Sequence, residues 1–168
     1  MKYLLLIFSS ICFCSCNDLH KKVYETFHAN KDSTVTSSTL HLTPEEEKDD
    51  TNSGATTWAN AGIEDVMGLK TFIKKLQQWN EQNNKDSIAA SIQYPLLNDK
   101  KISSAKIFLQ QYDKFFNEKV KKALQQQKLN RLFRNYHGVM IGNGDLWITN
   151  ISETDKENYK ITSINYAP

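Results

Sequence analysis

His137 is the one histidine in the last two thirds of the chain, and it stands beside Tyr136 and eight residues before Asp145. An imidazole held by a carboxylate can serve as a general base. Strand pairing sets Asp145 at a turn and out of reach of His137, which leaves Asp113, next to Tyr112, as the candidate partner. The competing reading is plainer: an exposed histidine, a solvated Asp113, an amphipathic Tyr112 and Asp86 as a helix cap. The chain has no HExxH, G-x-S-x-G, CxxC or P-loop. Gly142-Asn143-Gly144 lacks the third glycine and following helix of a dinucleotide site and reads as a turn. His20, His28 and His41 have no metal-cage spacing, and the run Glu45–Glu47 with Asp49–Asp50 reads as solvated linker, so neither metal nor cofactor is expected.

All 3 cysteines, Cys12, Cys14 and Cys16, fall within "ICFCSC". Before them come Lys2 and the apolar run Tyr3 to Phe8, a short basic stretch and an apolar one of about ten residues, well under the roughly 20 of a spanning helix. That is an export signal. Its end, Phe13-Cys14-Ser15-Cys16, resembles the lipobox of bacterial lipoproteins, in which the cysteine after a small residue is lipidated and becomes the mature N-terminus. Carried over, Cys16 is the lipidated residue and Ser15 precedes the cut, while Phe13 stands where leucine is usual. Cys14 is excluded because bulky Phe13 precedes it. The alternative is an ordinary cleaved signal. Asn17, in place of Asp, resembles lipoproteins passed on to an outer membrane, which implies a domain facing the periplasm.

With Cys12 and Cys14 removed and Cys16 esterified, no internal disulfide is available, and the fold must stand on its core. The 21 basic and 19 acidic residues nearly balance, which argues against nucleic acid as a partner. Residues 1–15 form the expected signal, 16–57 a polar tether too poor in large apolar groups to fold, and 58–168 a single domain. Within the tether, Leu19, Val23 and Phe27 have helical spacing.

In the domain, Ile63, Val66, Met67, Leu69, Phe72, Ile73, Leu76 and Trp79 recur at steps of three and four, predicting a long helix ending near Asn83. Asp86 is the expected cap of a short second helix, and Tyr94, Leu96 and Leu97 suit a short strand. Ser103 or Ser104 caps a third helical region that breaks at Asn117 into two. The period then changes. Asn143-Gly144 predicts a type I′ hairpin pairing Ile141 with Leu146, Met140 with Trp147 and Val139 with Ile148. A last strand runs from about Tyr159 to Tyr166.

Both hairpin faces carry large apolar groups, and one helix layer cannot bury both. Something must cover the face with Met140 and Trp147: more of the chain, a second subunit in a homodimer, or a ligand. Helices followed by an antiparallel sheet give an α+β class. The order of elements, with "DSIAASIQYPL" and "FLQQYDKFF", resembles the nuclear transport factor 2 and SnoaL-like fold, which implies a curved sheet wrapped as a cone over helices. The expected function is a lipid-anchored envelope module that binds a protein or small apolar ligand without catalysis, with Trp147, Met140, Tyr136, Trp79 and Tyr166 as the candidate surface. An immunity-type lipoprotein is one version. The alternatives are a small pocket enzyme using His137, Asp113 and Tyr112, as the SnoaL resemblance implies, and a homodimeric scaffold.

Overall fold

The computed structural model describes residues 40–50, 56–152, 154 and 158–167. The expected signal, Cys16 and the helix at 19–27 lie outside them. The described chain is α+β, with helices first and a four-stranded antiparallel sheet after them.

The first helix, α1 (Pro44–Glu47), arises where a solvated linker was expected. Its cause is local: Thr43 Oγ1 accepts from the Glu46 amide, Glu46 Oε2 accepts from the Thr43 amide at 2.6 Å, and Pro44 fixes the first helical φ. What holds α1 on the body comes from afar. Lys70 is 1% exposed, and its ammonium donates to the carbonyls of Glu46, Glu47 and Lys48 at 2.7, 3.0 and 2.6 Å. Cations at a helix C-terminus satisfy carbonyls that have no intrahelical partner. Asp49 pairs with Arg134 at 3.1 Å and accepts from Trp58 Nε1 at 3.0 Å. Asn130 donates to Glu45 and Asp50, and its carbonyl takes the Asp50 amide at 2.7 Å. Leu42 packs against the core. The packed body therefore begins near residue 40, ahead of the boundary at 58 that the polar composition suggested.

Helix α2 (Val66–Glu81) is capped by Asp65 and buries Leu69, Lys70, Ile73 and Leu76 on one face, each large apolar side chain contributing about 1.5–3 kcal/mol. Asn83, at φ 50°, ends it. Helix α3 (Lys85–Ala90) then starts immediately, capped by Asn84, which accepts from the Ser87 amide at 3.1 Å. The expected Asp86 cap is thus corrected: Asp86 lies in the first turn. Ser104 caps α4 (Ala105–Gln110), α5 (Tyr112–Phe115) follows after a break at Gln111, and Asn117 caps α6 (Glu118–Gln126) at the expected break. Gln77 of α2 donates to the Leu124 and Gln127 carbonyls at 3.0 and 2.9 Å, closing the α6 C-terminus against α2.

The sheet is a meander of β1 (Arg134–Asn135), β2 (Gly138–Ile141), β3 (Leu146–Asn150) and β4 (Tyr159–Ile164). The hairpin register is as expected, with Val139 opposite Ile148, Met140 opposite Trp147 and Ile141 opposite Leu146. Its turn is not type I′. Positive φ falls at Gly142 (63°) and Gly144 (93°) and not at Asn143, and the Asp145 amide reaches the Ile141 carbonyl at 3.1 Å. A four-residue loop results because Asp145 Oδ2 draws in the Asn143 amide at 3.0 Å. A Cβ on Gly142 would collide with that carboxylate and with Ala123.

Residues 94–97 form no strand, since Pro95 lacks the amide a ladder needs. The 91–98 segment instead borders β4: Ile161 donates to Ser91 and accepts from Gln93, both at 2.9 Å, Leu97 donates to the Thr162 carbonyl, and Asn98 bonds both backbone groups of Ile164. One apolar core joins Leu69, Ile73, Phe108, Phe116 and Leu124 to Val139, Ile141, Leu146, Ile148, Ile161 and Ile164.

Candidate functional site

Alternation along the strands sends Val139, Ile141, Leu146 and Ile148 into the core and leaves Met140, Trp147 and Thr149 half-buried on the opposite face. A bulge in the β3–β4 pairing between Trp147 and Ile148 adds a residue to that outer face. The added residue is Thr162, whose Oγ1 donates to the Trp147 carbonyl at 3.4 Å and meets Thr149 Oγ1 at 3.5 Å. Leu97 and Asn98, held at the β4 edge, form the rim. Together they enclose a cavity of about 390 Å³ lined by Leu97, Asn98, His137, Trp147, Thr162 and Ser163. Among the described residues no carboxylate, ammonium or guanidinium lines it.

The aromatic wall is ordered by ring contacts. His137 stands edge-on to Trp147 with centroids 5.7 Å apart at 71°, and Tyr136 lies 3.9 Å from His137 at 40°. The backbone sets His137 in place: its amide donates to Asn135 Oδ1 at 2.8 Å and its carbonyl accepts from Thr149 Oγ1 at 3.1 Å. Tyr136 is 80% exposed and Leu97 71%. Met140 Sδ and Trp147 Nε1 both lie 3.9 Å from the place a Cβ on Gly144 would occupy, which puts the two side chains together beside the turn. Phe133, 40% exposed, continues the patch toward β1, where its carbonyl takes the Met140 amide at 3.0 Å. The His137 ring, Trp147 Nε1 and Ser163 Oγ make no hydrogen bond among the described residues.

Of the five expected surface residues, Trp147, Met140 and Tyr136 meet on this face. Trp79 and Tyr166 do not. Trp79 packs against the core on α2, and Tyr166 stacks edge-on against Phe115 at 5.1 Å while donating to Asp99 Oδ2 at 2.5 Å.

The catalytic candidates are not brought together either. Asp113 is exposed and pairs with Lys85 at 3.1 Å and Lys121 at 3.3 Å. Those hydrogen bonds, that from Lys85 foremost, hold its carboxyl below the ordinary range. Tyr112 is buried against Phe108 and Phe116, and burial, with the Asp113 charge adding, pushes its phenol up to about 12. Neither residue has a hydrogen bond, ion pair or ring contact with His137. Among the described residues no group of acidic, histidine or cysteine side chains is arranged to hold a metal.

Leu97, Asn98, Thr162 and Ser163 escaped the sequence reading. The alternation of β4 carried part of the signal, since Ser163 is placed outward by pairing with Trp147. The bulge that brings in Thr162 has no local signature. No family model, curated protein or solved structure matches the chain.

Proposed function

We propose that the protein is a lipid-anchored envelope protein, acylated on Cys16 after loss of residues 1–15 and displayed on the periplasmic side of an outer membrane, whose domain binds a partner through the outer face of its sheet without catalysis. The carrying observation is that face. Trp147, Met140, His137 and Tyr136 form a connected, partly exposed surface rich in aromatic rings beside a cavity whose described lining has no carboxylate, ammonium or guanidinium, whereas exposed apolar groups on a monomer ordinarily occur singly. The separation of His137 from Asp113 and Tyr112 speaks for binding over proton transfer. The finer architecture, a sheet curving as a cone, is supported by the helices-first order and by the β3–β4 bulge, a device that bends sheets. The cavity on the face away from the helices differs from the interior pocket which that resemblance implies.

Two measurements test the reading. Intact mass of the protein made with its own signal is expected to show a chain starting at Cys16 and carrying a diacylglyceryl increment, absent from a Cys16→Ser chain. On that Cys16→Ser chain, the amphiphilic dye 8-anilinonaphthalene-1-sulfonate (ANS), whose rings report exposed apolar surface while its sulfonate stays in water, is expected to bind and to lose binding in a Met140→Ser, Trp147→Ser variant. An unmodified product, or dye binding indifferent to both residues, would count against it.

A further inference from the structure

We propose that the cavity between β3, β4 and the 91–98 segment takes a neutral sugar unit of an envelope glycan. The proposal rests on the outer face being a ligand face and names the class of ligand. Its size, about 390 Å³, lies in the range of small-ligand sites. Among the described residues its lining has no carboxylate, ammonium or guanidinium, so a phosphate, a nucleotide or an acidic peptide would surrender its hydration with no permanent cation to replace it. A purely apolar ligand suits the lining no better. It would cover the His137 ring, the Trp147 indole N–H and the Ser163 hydroxyl, which have no hydrogen-bond partner among the described residues, and buried polar groups are costly when left unpaired.

A pyranose ring offers both things the cavity asks for. Its C–H face is apolar and matches a flat aromatic wall, and its hydroxyls donate and accept without charge. The wall is present: Trp147 and His137 meet edge to face, Tyr136 lies tilted against His137, and Leu97 stands exposed at the rim. Extended peptide has lost its usual means of entry along β4. Peptides dock on sheets by adding a strand to a free edge, and at this edge Ile161 and Ile164 already bond to Ser91, Gln93 and Asn98, while the Thr162 carbonyl holds the Leu97 amide.

The experiment titrates chitotetraose, the linear tetramer of N-acetylglucosamine, into the full Cys16→Ser chain, followed by calorimetry and by amide and indole NMR, with ANS and inorganic phosphate as contrasting probes. The expected result is saturable chitotetraose binding that shifts the Trp147 indole and Ser163 amide signals, with no response to phosphate. Trp147→Ala is expected to weaken it at least ~10-fold and Ser163→Ala about 5-fold, while Trp147→Phe, which keeps an aromatic face, loses the indole N–H and guards against a folding artefact, weakens it less than Trp147→Ala does. Dye binding at Trp147 without sugar binding would overturn the sugar and leave the ligand face standing. Absence of both would overturn the two together. Sugar binding indifferent to Trp147→Ala would overturn the site.

Discussion

At the residue scale, a single phenol shows how side chains outside the cavity fix the frame around it. Tyr166, three residues past the pairing of Ser163 with Trp147, donates to Asp99, one residue beyond Asn98 on the rim. That bond, with the Lys101 amide second, holds the Asp99 carboxyl below its ordinary range. A carboxyl depressed in the folded state stabilises it above the unfolded pKa, near 4, and the contribution is lost as pH falls through the lower folded value. Tyr166→Phe keeps the ring on Phe115 and removes the donor. It is expected to raise the Asp99 pKa toward the ordinary value in a carboxyl ¹³C NMR titration and to shrink the acid-side loss of stability that Asp99 causes. An unchanged Asp99 titration would show that the bond does not control this carboxylate.

At the scale of elements, the lysine between Leu69 and Ile73 of α2 does the joining. Lys70 reads in sequence as a polar break in an apolar stripe; in the fold it is the buried cation on which α1 ends. Burial pushes its ammonium down from the ordinary lysine value, opposed by the charges of Asp49, Asp50 and Glu47. Lys70→Met keeps the apolar stem and strands three carbonyls. A loss of about 2–4 kcal/mol is expected, with hydrogen exchange rising at the amides of Glu47 and Asp50, which donate to Thr43 and Asn130, before it rises in α2. Unaltered exchange at those two amides would mean that α1 is held by something else. This is also where sequence reading reached its limit. Period and pairing made α2, the Asn117 break and the hairpin register legible, because each depends on neighbours within a few residues. The capping box of Thr43 and Glu46 was equally local but lay inside an acidic run that resembles linker, and the lysine that anchors it is 24 positions from Glu46. Likewise Trp147 and Met140 announced an uncovered face, whereas Leu97, Asn98 and Thr162 joined it only through the bordering of β4 and a bulge.

At the scale of the molecule, the described helices cover one face of the sheet and leave the other uncovered by them. The 91–98 segment closes the β4 edge, and the short β1 lies beside the turn at Ala59–Ala61, so the open surface is a face and not an edge. Contact at this face is most directly tested by site-specific photo-crosslinking from the chain expressed with its own N-terminal segment in a bacterial host. A photoreactive residue at Tyr136 is expected to yield a discrete adduct that disappears when Trp147 is changed to alanine, while the same residue at Lys122, exposed on α6, yields none. Equal capture at both positions, or capture at Lys122 alone, would contradict the account and move the working surface to the helices.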